Sequence, residues 1–389
     1  MTSAPTAPTR PADLTDDELA RLRALTVRSH AIITAVQQPG GAYPACTSFS
    51  AYAGYAWFRD GSFTAEGISR FGDVASADAF HDWCAAVLTS RADTVADLLR
   101  RADTHDPPTV AEMLPTRFTY TGDTGQDPWW DFQTDGYGMW LWAVLTHADR
   151  HQRPLDRWLP AIGIAVDYLC AFWDRPCYDW WEEHLEHRHV STLAAIAGGL
   201  SCVVDSGPLD EERAARARQA VTGIRSLVAS QGTADGHLTK WLGTDAVDGS
   251  LPAAIVPFGL VPHDSPVAGA TLAAVQRDLD VGGGVHRFRA DVFYGGGQWL
   301  LLSALLGWNL AAAGDTTSAW RHLRWIAAHA GADGQMPEQV PDHLLYPQHR
   351  QEWVEQWGPV ATPLLWSHGM YLILADELGL LHPRPQDQP

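Results

Sequence analysis

The sequence predicts an all-α chain that closes as an (α/α)6 barrel, a ring of six helical hairpins. Three observations point there. Apolar residues recur at 3.6-residue spacing in about twelve segments, with no convincing run of strand-like alternation. The connections between those segments alternate between short and long almost without exception. The 389 residues, 46% hydrophobic and 19% charged, contain no Pro/Gly/Ser-rich or charged linker to divide them, so one large core is the simpler reading.

Taken in order, the first helix spans about 15–37, where Thr15 and Glu18 form a capping box and Pro39-Gly40-Gly41 stops it. Helices follow over about 62–71, 76–103, 136–150, 155–173, 190–205, 208–230, 252–260, 266–278, 296–314, 316–330 and 363–379. Tight links at 72–75, 151–154, near Ser206-Gly207, at 261–265 and near Gly314-Asp315 suit antiparallel neighbours. Long loops cover about 38–61, 104–135, 174–189, 231–251, 279–295 and 331–362. If consecutive helices run antiparallel, all six long loops emerge at one end and can build a site there. An irregular helical bundle or open solenoid is the competing architecture. Residues 1–14 and 381–389 are expected to be tails around a single domain, 15–380.

Composition narrows the function. With 27 basic and 46 acidic side chains the net charge is −19, which repels phosphate backbones and anionic lipid, and no apolar run is long enough to span a bilayer. Neither nucleic acid nor a membrane is expected as a partner, and the oligomeric state is open. The stretch Met1 to Pro11 lacks the basic region and apolar core of a signal peptide, so a cytoplasmic protein is expected. The five cysteines, Cys46, Cys84, Cys170, Cys177 and Cys202, form no Cys-x-x-Cys pair and are expected as reduced thiols. Several of the 18 tryptophans fall in Gly/Pro-punctuated loops, where they suggest a stacking surface.

The third long loop holds Tyr178-Asp179-Trp180-Trp181-Glu182-Glu183. Cleaving a glycosidic bond requires one carboxylic acid kept protonated near neutral pH, and indole walls do this by denying water to the ionised form. The bland alternative is an acidic turn whose tryptophans pack in a core. Nearby His184, His187 and His189, with Glu183 and Glu186, offer a metal cluster as a second alternative, against the commoner reading of a solvated His-rich loop. Gly295-Gly296-Gly297 is not a phosphate cradle, because no strand precedes it and no Gly-Lys-Ser follows; a tight turn before Trp299 fits better.

Other loops repeat the pattern. The first ends Tyr55-Ala56-Trp57-Phe58-Arg59-Asp60-Gly61; the fifth contains Arg287, Asp291 and Tyr294 through Trp299; the sixth contains Pro337-Glu338-Gln339. In these motifs, in this order, the chain resembles glycoside hydrolase family 15, the glucoamylase family, from about Gly40 to the last helix. Gln133-Thr134-Asp135-Gly136 matches more loosely. The resemblance implies the same barrel of helical hairpins, with Glu182 as general acid and Glu338 as general base. Glu183, Arg59, Asp60 and Arg287 would hold the terminal glucose, and Trp57, Trp129, Trp181 and Tyr294 would complete the sugar site. No cofactor or metal is implied. Glu182, crowded by indoles and by Glu183, should keep its proton. Glu338 should sit in a wetter, hydrogen-bonded setting that keeps it ionised. Asp342, Glu352 and Glu355 compete with Glu338 as base.

The chain departs from many family members in lacking an N-terminal β-sandwich and a C-terminal starch-binding module, so a bare catalytic domain acting on short oligosaccharides is expected. Where many members carry the first Tyr of Tyr-x-Tyr-x-Trp, this chain has Ala53, with Tyr52 and Tyr55 beside it. The expected activity is inverting exo-α-glucosidase, with α-1,6-linked isomaltose-type substrates favoured over α-1,4 malto-oligosaccharides. An α,α-trehalase is the alternative enzyme, and a non-catalytic sugar-binding protein the alternative of another class.

Overall fold

A helix that is apolar all round must be buried all round, and the run from Leu300 to Leu310 is buried at every position. It belongs to the inner ring of a barrel. The structure, a computed structural model, describes residues 10–102, 104–207 and 209–381. Its helices are α1 (Asp16–Val36), α2 (Phe58–Phe71), α3 (Val74–Thr89), α4 (Ala92–Arg101), α5 (Asp135–His151), α6 (Leu159–Phe172), α7 (Val190–Ser206), α8 (Glu211–Gln231), α9 (Pro266–Leu279), α10 (Leu300–Ala312), α11 (Thr316–Ala328), α12 (Arg350–Trp357) and α13 (Leu365–Glu377). α2 packs on α5, α5 on α7, α7 on a 3₁₀ turn at Leu251–Ala254, that turn on α10, α10 on α13, and α13 back on α2. This ring is the inner layer of the (α/α)6 barrel. α1, α3, α6, α8, α9 and α11 form the outer layer and expose one face each.

Three helices differ from expectation. The expected 76–103 helix breaks at Ser90 and Arg91, where the Arg91 side chain donates to the carbonyls of Val87 (2.9 Å) and Gly122 (2.8 Å) and so satisfies the backbone at the break. The expected 252–260 helix is only the 3₁₀ turn, because Pro257 has no N–H for a helical ladder and disfavours helix at Val256. Helix α12 lies inside a segment expected to be loop; its eight residues are too few for periodicity to register. Of the expected tails, residues 1–9 and 382–389 lie outside the described residues. Within residues 10–14 only Leu14 is buried, and Arg10 donates to its carbonyl at 2.7 Å.

Short strands tie the long loops together: β1 (Tyr55–Trp57), β2 (Arg117–Thr119), β3 (Thr233–Ala234), β4 (His237–Leu238), β5 (Asp280–Val281), β6 (Gly284–His286), β7 (Gln298–Trp299) and β8 (Gln339–Val340). β1 pairs with β2, and β5-β6-β7-β8 form one antiparallel sheet with Trp299 opposite Gln339. That register sets Arg287, just after β6, and Glu338, just before β8, on the two strands that flank β7. No described helix is long and apolar enough to cross a membrane.

Candidate active site

The long loops converge on a cavity of about 410 Å³ at one end of the barrel. Its wall takes residues from five of the six loops, and Trp366 in the first turn of α13 closes it further. Half of the chain's 18 tryptophans line it: Trp57, Trp129, Trp130, Trp180, Trp181, Trp299, Trp353, Trp357 and Trp366. The loop tryptophans are thus the pocket wall, although Trp57 and Trp180 are themselves buried at 2% exposure.

Both glutamates singled out from the sequence face this cavity. Glu182 sits at φ 65° in a tight turn closed by Glu182 N to Asp179 O (3.0 Å) and Asp179 N to Glu183 O (3.0 Å). Its Oε1 accepts from Trp57 Nε1 (2.8 Å) and Arg59 Nη2 (3.3 Å), and no described residue donates to its Oε2. Trp57 is therefore more than a wall residue. Glu338 is 3% exposed and receives one hydrogen bond, from the Tyr52 hydroxyl to Oε1 at 3.0 Å; its Oε2 is buried without a protein partner. The wetter setting expected for Glu338 is thus not found. Burial pushes its carboxyl up to about 8, against the Tyr52 bond and the Arg287 charge, which act downward. The competing bases lie elsewhere: Asp342 pairs with His329, Glu352 with His349, and Glu355 accepts from Gln351, all away from the cavity, while Trp353 and Trp357 on the other face of α12 line it.

Arg59 and Asp60 open α2 and both line the cavity. Behind Arg59 stand Gln133, whose Oε1 accepts from Nη1, and Asp135, 3.6 Å from the same nitrogen. The loosely matching Gln133–Gly136 motif thus braces the arginine. Burial raises the Asp60 carboxyl to about 7 despite Arg59 beside it, and its Oδ2 is buried without a hydrogen bond. Arg287 is held by Asp291, Nε to Oδ2 at 2.8 Å, and reaches Glu183 Oε1 from Nη2 at 3.2 Å. Burial raises the Glu183 carboxyl, partly opposed by Arg287. The Trp181 and Trp299 rings lie 5.4 and 5.3 Å from the Arg287 guanidinium. Trp129 stacks on Arg117 (3.9 Å), which Tyr55 covers from another side at 3.9 Å.

Tyr294 does not take the place expected of it. Its backbone is left-handed (φ 50°), its hydroxyl donates to Gly358 O at 2.9 Å, and the buried ring ties the fifth loop to the sixth; Phe293 lines the cavity instead. The position occupied by Ala53 is answered by Tyr52, which reaches Glu338. The histidine cluster is taken up in packing: His187 stacks on Trp241 (4.2 Å, 10°) and His189 bonds the His184 carbonyl at 3.0 Å. Among the described residues no group of His, Cys, Asp and Glu could hold a metal ion. Sequence reasoning missed Lys240 and Asp248, which lie behind Trp181; the signal available was that Lys240 is the chain's only lysine.

Known proteins resemble this chain in sequence and in fold. The profile of "Glycosyl hydrolases family 15" matches residues 21–339. Over 383 residues, 98% of this chain and 100% of the other, the sequence is 66% identical to a Kribbella flavida protein named isomaltose glucohydrolase. A glutamate-to-alanine variant of a glycosidase, solved in complex with glucose, superposes with TM-score 0.93 at 67% identity, covering 94% of this chain and 99% of that one. A bacterial glucoamylase complexed with acarbose shares the fold, with TM-score 0.71 and 20% identity over 92% of this chain and 56% of that one.

Proposed function

Because the chain belongs to glycosyl hydrolases family 15, we propose that it is an inverting, exo-acting α-glucosidase that removes one glucose from the non-reducing end of isomaltose and short isomalto-oligosaccharides. The observation that carries this reading is the pairing of Glu182 and Glu338 across one aromatic-walled pocket. A cavity of about 410 Å³, small within the range of about 300–1,000 Å³ usual for small-molecule sites, suits the end of a sugar chain better than its middle. The α-1,6 preference is supported by the Kribbella relative, aligned over its full length.

Exposure supports this division of labour. A leaving oxygen must depart through the mouth, so the acid belongs on the more open side. The Glu182 side chain is 14% exposed, whereas Glu338 is almost fully enclosed. The free Oε2 of Glu182 can carry the proton to the glycosidic oxygen, while Trp57 and Arg59 on Oε1 stabilise the carboxylate left behind. The unpartnered Oε2 of Glu338 is placed to take a proton from water attacking the opposite face of the anomeric carbon. Asp60 and the Arg59 and Arg287 guanidiniums supply acceptors and donors for the glucose hydroxyls.

The test is to incubate the protein with isomaltose, maltose, trehalose and longer isomalto-oligosaccharides and to follow glucose release by NMR. β-Glucose should appear first, fastest from the α-1,6 substrates. Initial α-glucose would rule out inversion, faster turnover of maltose or trehalose would overturn the linkage preference, and no turnover of any α-glucoside would sink the whole reading.

A further inference from the structure

Lys240 is the only lysine among the chain's 27 Lys and Arg side chains, and it is buried at 4% exposure. It comes from the fourth long loop, which contributes nothing to the pocket wall. Main-chain bonds Val190 N to Lys240 O and Leu242 N to Arg188 O, both 3.1 Å, pair its segment with the residues just after the turn that carries Glu182. Nζ donates to Asp179 Oδ2 at 3.0 Å and to Asp248 Oδ2 at 2.5 Å, with the Phe288 ring 3.9 Å away. Each aspartate holds a different part of the acid loop. Asp179 Oδ1 accepts the N–H groups of Trp181 and Glu183, both at 2.9 Å, which closes the turn around Glu182. Asp248 accepts Trp181 Nε1 at 3.0 Å and the N–H of Ser250 at 2.8 Å, which fixes the indole on the pocket wall. Burial alone would raise the Asp179 carboxyl, yet the Lys240 ammonium holds it below the usual range. Without that cation two buried carboxylates would be left unpaired.

The geometry points to Lys240 as a positioning residue for the acid step: by bridging Asp179 and Asp248 it holds the turn that aims Glu182 into the pocket. This rests on the assignment of Glu182 as the acid. The test uses two substrates, isomaltose, whose leaving oxygen needs a proton, and α-glucosyl fluoride, whose leaving fluoride does not. In Lys240→Met, kcat on isomaltose should fall about 100-fold with KM changed less than about threefold, while turnover of the fluoride falls less than about threefold. Equal loss on both substrates, or no loss on either, overturns the positioning role. Glu182→Gln should lose about 1,000-fold or more on isomaltose and far less on the fluoride; equal loss there overturns the acid assignment itself, independently of Lys240. If circular dichroism shows Lys240→Met unfolded, Asp248→Asn keeps the shape and removes one of the two carboxylate charges that Lys240 bridges. Selective loss on isomaltose in that variant supports the role, and uniform loss overturns it.

Discussion

Glu338 is buried with a single hydrogen bond, from Tyr52, and burial pushes its carboxyl up to about 8. The proposed base must be ionised, so the sign is clear: in the free enzyme kcat/KM on isomaltose should climb as pH rises from about 6 towards 8, its acid limb following Glu338. The same shift acts oppositely on the fold. Between the ordinary carboxyl range and about 8 the folded state binds more protons than the unfolded one, so stability should fall as pH rises through that window, and Glu338→Gln should flatten the fall. An acid limb near the ordinary carboxyl value, or identical pH dependence of unfolding in the variant, would contradict this account of Glu338.

At the scale of elements, the site depends on how closely the inner helices approach. α5 and α7 meet at Gly138 and Gly199; a Cβ on Gly199 would lie 2.3 Å from the Gly138 carbonyl oxygen, which is backbone and cannot swing away. Gly199→Ala should therefore destabilise the protein by about 1–3 kcal/mol in denaturant unfolding, the usual range for an overpacked core. It should also lower kcat, since the first residue of α5 is Asp135 behind Arg59. Unchanged stability would mean that the helices can part without cost. The small sheet β5-β6-β7-β8 works in the same way, because its register sets Arg287 and Glu338 at the ends of the two strands that flank β7 although 51 residues of sequence separate them. Strands of two or three residues leave no period to read, which is why the helices were legible in sequence and the sheet that positions Glu338 was not.

At the scale of the molecule, the ring brings five loops to one cavity and gathers half of the tryptophans there. Glucose or isomaltose entering it should displace water from indole faces and shift tryptophan emission to the blue. Binding to the folded state alone should also raise the melting temperature, with about 2.7 kcal/mol of stabilisation at a hundred times Kd. Neither a spectral shift nor a thermal one with saturating sugar would show that this cavity is not a sugar site.

The sequence by itself determined the helical class and the alternation of short and long connections that makes a barrel with loops at one end, because these are properties of local period and turn chemistry; Glu182, Glu338, Arg59 and Arg287 were legible through motifs that resemble those of the family. Tertiary structure alone decided which side chains meet across loops distant in sequence. It brought Tyr52 to Glu338, Trp57 to Glu182 and Lys240 beneath the acid turn, and it turned Tyr294 away in favour of Phe293. It also reversed the expected dryness of the two glutamates, because burial is summed over every loop that closes on a group and no single segment records it. In the run from Tyr178 to Glu183, Trp181 and Glu182 were visible as chemistry in one line of sequence, and their orientation depends on a lysine some 60 residues away.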